Sequence, residues 1–517
     1  MKGSDDLFRL IHSLDKNEKR YFKLSVAKYE TAADSNYLRL FDAMDSLEEY
    51  DEEKLKKKFR GQKLQKNFPS EKNYLHRLIL RTLRTYSPEE NVENRIKDML
   101  REAEFLYRKA LYDQCHKILV KARDLALTHQ KHLLQAEIIS MEGQLMILLN
   151  DKELFDDYLM NRLPAAGEML KKEINVFDYK YYHLKTFGIT REFGDDTRKM
   201  ETLSKLEEMM GSGLLKDEKH ALSFQAKHYF YFMHLVHSRA NRNYDNLLEH
   251  CMKDVELHET HPEIAAENAD QYVSALSNLS LAQLELNHFE DCLATLNKMR
   301  LIKDNAQSTR IKINSVYYPR VIAVFLYSGR FEMVDTLIDE ASAFIRKHKD
   351  QFGRMKIVSL YWNIAYCYFG MNNFREALKW LNKIINDTDL EKVRPDMNCF
   401  SRIFSLVVHY ELGNYDLIEH LSRSATRYLD KKGFLFDLEK TTLKFLNDLT
   451  SLSNPKEKIR EFKKFRLAVE LAMKEWPVRE QFEYFDFVSW CDSKTEEKPF
   501  AELFRRNLRK RVIESGK

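Results

Sequence analysis

Residues 369–381 read FGMNNFREALKWL, and variants of this phrase recur along the second half of the chain. Each copy has a short turn, often with Gly or Asn, followed by an aromatic residue that opens a new apolar pattern. These aromatic residues are Phe289, Phe331, Phe374 and Tyr415, and they lie 42, 43 and 41 residues apart. A near-constant spacing of this length indicates repeated supersecondary units.

The best copy predicts a pair of helices. Its first half places apolar residues on one helix face, and these are Tyr361, Ile364, Ala365 and Tyr368. GMNN then interrupts the pattern with residues suited to a left-handed turn. Its second half forms another apolar face, made by Phe374, Ala377, Leu381 and Ile384. Neither helix can bury such a face alone, so the sequence predicts that successive pairs stack.

The composition favours an all-α fold. The 517 residues include only 14 Gly and 9 Pro, while 44% are hydrophobic and 32% charged. Most of the remaining residues are good helix formers, and alternating β-branched runs are missing. The chain therefore has enough apolar residues for a large core built from long helices with few turns.

The phrase resembles the tetratricopeptide repeat. Phe374 and Ala377 match the aromatic residue and the Ala of that repeat's second helix, although the spacing is longer than the usual 34 residues. The resemblance implies a right-handed superhelical array of helix pairs. We expect the array to span residues 95–450, with weaker copies at Tyr112, Phe155, Tyr244 and near Asp196. Residues 1–90 are expected to form a small basic helical domain, and residues 455–517 a helical C-terminal cap.

The resemblance also implies a binding groove. In tetratricopeptide proteins the first helix of each pair lines the concave face, and a peptide or helix of a partner protein binds there. The matching positions in this sequence are Trp362, Tyr366, Phe369, Ile403, Val407 and Tyr410. Their apolar, aromatic character would suit the apolar face of a partner. The alternative is that these side chains are simply core residues, as aromatic residues at helical spacing often are.

The N-terminal segment does not match the repeat. Five short helical patterns lie between residues 5 and 90, and Asp15 with Glu18 forms a capping box at the start of the second. Ser70 is expected to cap the fifth. The phrase EKRYFKL (18–24) resembles a family of bacterial tetratricopeptide-like proteins, a likeness that implies no activity.

Charge is concentrated in this segment. Between Lys54 and Arg84 there are eleven Lys or Arg and one acidic residue, a local net charge of +10 within a total of +4. One helix face carries Asn73, Arg77, Arg81 and Arg84. This surface suits the phosphate backbone of RNA or DNA, alone or in the ribosome. The alternative is a solvated face that keeps the protein soluble.

No catalytic motif is found in the sequence. Phosphate-binding loops, a serine nucleophile elbow and HExxH are missing, so we expect no enzyme activity and no cofactor. One cluster offers metal-ligand types, namely His250, Cys251, Glu256, His258 and His261. We expect ordinary helix and loop residues there, as for His234 and His237, and no metal site.

The sequence predicts a cytoplasmic protein. The first residues lack the apolar segment of a signal peptide, and no stretch is long and apolar enough to cross a bilayer. Six dispersed cysteines without metal-ligand spacing favour reduced core thiols. The expected function is a non-catalytic interaction scaffold for a protein or peptide, or else a factor associated with nucleic acid or the ribosome.

Overall fold

The computed structural model describes residues 5–29, 36–61, 67–84, 86, 91–192, 200–303, 307–472 and 485–515. The chain divides into two compact units, Met1–Arg101 and Glu102–Lys517. The described residues form helices and no strand, which confirms the all-α prediction. Among them, no helix is long and apolar enough to cross a membrane.

The first unit is a small bundle of short helices. They are α1 (Asp6–Ser13), α2 (Lys16–Tyr29), α3 (Asn36–Asp45), α4 (Glu52–Lys58) and α5 (Phe68–Leu83), followed by α6 (Val92–Arg108), which continues into the second unit. The core of this bundle includes Phe22, Phe41 and Leu75, all fully buried.

The predicted capping box is confirmed at the start of α2. The Asp15 N–H donates to Glu18 Oε2 at 2.7 Å, and the Glu18 N–H donates to Asp15 Oδ1 at 2.8 Å. The predicted cap of the fifth helix is wrong, because α5 begins at Phe68 after Asn67 and therefore includes Ser70.

The second unit consists of helices that pack mostly against their neighbours in the chain. They are α7 (Tyr112–Thr128), α8 (His132–Leu149), α9 (Lys152–Asp157), α10 (Leu163–Glu192), α11 (Met200–Met210), α12 (Phe224–Ala240), α13 (Tyr244–Glu259), α14 (Pro262–Glu267), α15 (Ala269–Glu285), α16 (Phe289–Arg300), α17 (Gln307–Tyr327), α18 (Ile338–Phe352), α19 (Arg354–Gly370), α20 (Phe374–Ile385), α21 (Thr388–Val393), α22 (Pro395–Glu411), α23 (Tyr415–Lys432), α24 (Asp437–Thr450), α25 (Pro455–Ala472), α26 (Phe487–Thr495) and α27 (Phe500–Ser515).

Paired helices recur with the predicted spacing. The pairs α12–α13, α15–α16, α19–α20 and α22–α23 are each in contact, and the second helix of a pair packs against the first helix of the next. In the best copy, Ile364, Ala365, Ala377 and Leu381 are buried between these helices. The stacking therefore has the local form that the sequence predicts, while the handedness of a superhelix stays a prediction.

Among the described residues, one backbone turn recurs before the start of six second helices. A residue with positive φ, between 58° and 75°, lies two positions before the residue that begins the second helix. The N–H between these two residues donates to a carbonyl five residues earlier, at 2.8–3.0 Å, which closes the preceding helix. The left-handed residues are Ala110, Arg242, Asn287, Gly329, Asn372 and Gly413, and the helices begin at Tyr112, Tyr244, Phe289, Phe331, Phe374 and Tyr415. At Phe331 the helix is a short 3-10 helix, Phe331–Thr336.

The weaker predicted copies have mixed outcomes. Tyr112 and Tyr244 begin helices as expected, but Phe155 lies inside α9 and is 40% exposed. The left-handed residue of that turn is Asn150, so Lys152 takes the position predicted for Phe155. The copy predicted near Asp196 lies outside the described residues.

All six cysteines are buried and none forms a disulfide, as the sequence predicts. Burial raises the pKa of the thiols of Cys292, Cys367 and Cys399, for example to about 11 at Cys292. These thiols therefore stay protonated near neutral pH and are core side chains.

Candidate functional site

The six residues predicted to line a groove are all buried. Trp362, Tyr366 and Phe369 lie on α19, and Ile403, Val407 and Tyr410 lie on α22. Each is at most 9% exposed. The expectation that these side chains line an open groove is therefore corrected: the face of α19 and α22 that carries them is covered.

The cover is the C-terminal segment of the same chain. Phe485, which precedes α26, lies 5.4 Å from Tyr366 and 4.9 Å from Phe369, measured between ring centroids. From α27, Phe500 lies 5.2 Å from Phe369, and Phe504 lies 6.1 Å from Tyr366. Interlocked aromatic rings of this kind contribute packing energy beyond the area that they bury. We call residues 485–515 the C-terminal cover.

Polar contacts fix the cover at its start. The Asp486 N–H donates to the Tyr366 hydroxyl at 2.8 Å. Glu411, at the end of α22, accepts from Trp490 Nε1 and from Lys494 Nζ, both at 2.6 Å. Because Trp490 is fully buried, its N–H needs such a partner.

A second anchor lies on α27. Arg505 Nε donates to the Gly329 carbonyl at 2.7 Å, and its guanidinium also lies 3.2 Å from Glu332. Gly329 is the left-handed residue of a repeat turn, and a Cβ there would lie 2.7 Å from Arg505 Cγ. The turn between α17 and the 3-10 helix is therefore shaped to receive the cover.

The C-terminal cap expected at 455–517 stays a prediction, and the described helices there make two kinds of contact. Helix α25 continues the stack by packing on α24. Helix α26 packs on α25 and contacts the end of α22, whereas α27 lies against α19 and the turn at Gly329, on the face expected to bind a partner. The sequence signal that could have found this is the group of aromatic residues Phe485, Phe487, Trp490, Phe500 and Phe504, which is too apolar for exposed helices.

The four predicted nucleic-acid-binding residues lie together on the exposed side of α5 and its C-cap. Asn73, Arg77, Arg81 and Arg84 are all exposed, whereas Leu75 and Ile79 on the opposite side are buried. Within the described part of the chain, no carboxylate lies within 4 Å of the three arginines.

The lysines of the same unit differ from these arginines because several are paired with carboxylates. Lys72 and Lys56 lie 2.9 and 3.0 Å from the Glu52 carboxylate. The hydrogen bond from Lys72, with that from Tyr50, lowers the pKa of Glu52 to about 2. The structural lysines are thus separate from the exposed arginine face, and Lys63 and Lys66 lie outside the described residues.

The histidine-rich segment does not bring its five residues of metal-ligand type together. Glu256 is exposed on α13, whereas Cys251 and His258 are buried. His258 is grouped instead with Asp254 of the same helix and with His228 of α12, all three buried. Asp254 and His228 are not among the candidate residues that the sequence pattern indicates. Asp254 lies one helical turn before His258, and that spacing was an available signal.

The buried cluster is held by hydrogen bonds. His228 Nδ1 lies 2.8 Å from Asp254 Oδ1, and His258 Nδ1 lies 2.8 Å from the Asp254 carbonyl oxygen. Asp254 Oδ2 and His258 Nε2 have no hydrogen-bond partner among the described residues. Burial lowers the pKa of His258, so its unpaired nitrogen is a neutral lone pair. The arrangement can hold a proton, and it offers donor types that suit Zn²⁺.

No protein-family model matches the chain, and a comparison with curated proteins found no match. The site geometry and the fold therefore carry the functional argument.

Proposed function

We propose that the protein is a non-catalytic interaction scaffold of the cytoplasm that binds a peptide or helix of a partner protein. The observation that carries the proposal is that the face formed by α19 and α22 already holds two helices. Tyr366, Phe369 and Phe404 supply the aromatic contacts, and Glu411 supplies a polar one. The contacts of the C-terminal cover support a partner segment with aromatic residues and a polar donor.

The cover acts as a competitor in this proposal. A partner segment with aromatic residues at helical spacing would make the same contacts as Phe500 and Phe504. It would displace part of the cover, since only one segment can fill the space at Tyr366. Loss of the polar anchors at Lys494 and Arg505 should therefore favour binding of a partner.

A synthetic peptide of residues 485–515 tests the proposal. Labelled peptide is titrated with the wild-type chain and with the Lys494→Ala/Arg505→Ala variant, and binding is measured by fluorescence anisotropy. The variant should bind the peptide at least about tenfold more tightly, because the intramolecular competitor is held less firmly.

The matched control is the same peptide with Phe500→Ala and Phe504→Ala, which should not bind. A failure of the unmodified peptide to bind the loosened variant would count against the proposal. Trp362→Ala and Tyr366→Ala, combined with the loosened anchors, should abolish peptide binding. The same set of variants can then be used to capture a natural partner.

A second candidate function is association with nucleic acid or the ribosome, and the exposed arginine face of α5 favours it. Arg77, Arg81 and Arg84 project into solvent on one side of a helix, with an exposed aromatic residue, Tyr74, beside them. Guanidinium groups pair well with phosphate oxygens, and an exposed ring can stack on a base.

Binding of generic RNA and DNA over a range of salt concentrations tests this second function. The Arg77→Ala/Arg81→Ala/Arg84→Ala variant should bind more weakly, and its affinity should fall less steeply with salt, by about one unit of slope for each lost phosphate contact. The control removes three exposed cations from α23, namely Arg423, Arg427 and Lys431. If the wild type bound neither RNA nor DNA at low salt, the second function would be refuted and only the scaffold proposal would remain.

A further inference from the structure

Helix α10 carries an exposed apolar seam. Over 30 residues it contacts α8 and α12 through one side, where Tyr179 and Thr186 are fully buried. The opposite side carries six large apolar residues that are 45–62% exposed. They are Leu163, Leu170, Ile174, Phe177, Tyr181 and Leu184.

The spacing of these six residues is that of a coiled coil. From Leu170 to Leu184 they alternate at intervals of four and three residues, and Leu163 lies one heptad before Leu170. Such a repeat keeps one narrow stripe of a helix facing a second helix along its length. Scattered exposed apolar residues are common, but a regular seam of this length marks a contact surface.

Two glycines complete the same seam. Gly167 and Gly188 occupy the remaining heptad positions, and both are exposed and helical. A Cβ added at either one would meet no described atom within 4 Å. Glycine in a helix interior destabilises the helix relative to Ala. Packing within the chain therefore does not require these glycines, in contrast to Gly370, where a Cβ would lie 2.4 Å from Phe331.

We propose that the seam of α10 binds the same seam of a second copy of the chain, with the two helices antiparallel and a two-fold axis crossing them between residues 175 and 176. In this arrangement Ile174 of each copy packs against Phe177 of the other, and Leu170 packs against Tyr181. Each glycine then faces a leucine, with Gly167 against Leu184 and Gly188 against Leu163.

The charges beside the seam select this arrangement. Lys171 lies across from Asp178 of the second copy, and Glu173 lies across from Lys180. Both contacts pair opposite charges, and the two-fold axis makes each of them twice.

The alternative registers bring like charges together. A shift by one heptad places Glu173 opposite Glu173, or in the other direction Lys180 opposite Lys180. Parallel helices would bring Glu173 to Asp178 and Lys180 to Lys185. Like charges at such flanking positions disfavour a pairing. The charges on α10 therefore favour a second copy of the chain, bound in the antiparallel register, over the other arrangements.

Sedimentation of the full-length chain over a range of concentrations tests the proposal. The wild type should form a dimer, and Phe177→Glu should be monomeric with an unchanged helical signal, because Phe177 is exposed within the monomer. A wild type that stays monomeric at all concentrations, including one that binds a different protein through this seam, would overturn the proposal. So would a dimer that Phe177→Glu leaves intact.

Charge exchange tests the register. Lys171→Glu and Asp178→Lys should each raise the dimer dissociation constant about tenfold, since each makes two like-charge contacts. The double variant should regain the wild-type value because it restores opposite charges. Lys431→Glu, an exposed change on α23, is the control and should have no effect. A double variant weaker than either single variant would overturn the register.

Spin labels measure the orientation directly. The six native cysteines are buried, so a cysteine introduced at Glu168 or Lys185 can be labelled selectively. An antiparallel pair separates the two labels by about 22 Å at position 168 and about 28 Å at position 185, counted along the helix axis at 1.5 Å per residue. Separations near 10 Å at both positions would mean parallel helices and would overturn the proposal.

Discussion

Gly370 ends α19 where the ring of Phe331 packs against it. A Cβ at this position would lie 2.4 Å from that ring, which is fully buried and cannot easily move. Close packing at the end of a first helix thus depends on a residue without a side chain.

We expect Gly370→Ala to lower the free energy of unfolding by about 1–3 kcal/mol, because it overpacks a filled core. Urea unfolding followed by circular dichroism measures the change. Gly213→Ala is the control: Gly213 is exposed and its Cβ would enter open space, so stability should stay about equal. Equal effects of the two substitutions would contradict the packing argument.

Two histidines on neighbouring helices give stability a pH dependence. Burial, together with nearby His228, lowers the pKa of His183 to about 4. Burial, together with nearby His250, also lowers the pKa of His234 to about 4. Unfolded histidines take up a proton near pH 6.5, so protonation favours the unfolded chain below that pH. His237 and Lys253 also lie near His234 and add to the repulsion.

The contribution of these histidines is therefore complete above pH 6.5 and is lost as the pH falls towards 4. Thermal unfolding midpoints measured from pH 7 to pH 4.5 should fall less steeply in the His183→Gln/His234→Gln variant than in the wild type. His288→Gln, a change at a half-exposed position before α16, is the control. Parallel curves for wild type and double variant would refute the assignment.

At the scale of helices, the C-terminal cover depends on Glu411. This carboxylate accepts from the buried Trp490 N–H and from Lys494, so it joins α22 to α26. Its own side chain is 9% exposed.

Glu411→Ala should lower the free energy of unfolding by about 1–3 kcal/mol, because it leaves the indole N–H of Trp490 buried without a hydrogen-bond partner. Hydrogen exchange should show the loss as faster exchange across 487–495 and 500–515. Glu419→Ala on α23 is the control, since Glu419 is 72% exposed and pairs only weakly with Arg423. Unchanged exchange in the cover would show that the aromatic contacts alone hold it.

Much of this helical organisation could be predicted from the sequence. The 42-residue spacing located the start of each second helix, since Phe289, Phe374 and Tyr415 all begin one. The aromatic residues of 485–504 indicate that this segment is buried, but its position on α19 and α22 could not be predicted, because an aromatic helix face has the same pattern whether a partner or the chain's own end lies on it. Asp486 and Tyr366 are 120 residues apart, and no local pattern connects them.

The buried histidine cluster was missed for a similar reason. His228 and Asp254 come from the two helices of one pair, and only their packing brings them together. The basic face was found because Asn73, Arg77 and Arg81 share one side of a single helix, which periodicity alone reveals.

At the scale of the whole molecule, the division at Arg101 separates the core of the first unit from the core clusters of the second. The core of the first unit consists of residues between Leu7 and Ile79, and it contains several large residues such as Phe22 and Phe41. A unit with its own core should fold alone.

A fragment of residues 1–101 is therefore expected to unfold cooperatively, with a helical circular-dichroism spectrum. Phe41→Ala should abolish the cooperative transition, since truncating a buried Phe costs about 3–5 kcal/mol and the fragment is small. Arg77 is exposed, so Arg77→Ala serves as the control and should keep the cooperative transition. A fragment without any transition would show that the first unit needs the rest of the chain.

The repeated left-handed turns determine where this chain tolerates changes in length. One residue inserted between Tyr368 and Phe374 would rotate the whole of α20 by about 100° about its axis and carry Ala377 out of its tight contact. The same insertion in the connector 433–436, which joins α23 to α24 and contains no helix, leaves the repeat turn at Gly413 intact. Natural variation in length should therefore accumulate at connectors, where the chain can be extended without reorienting any helix.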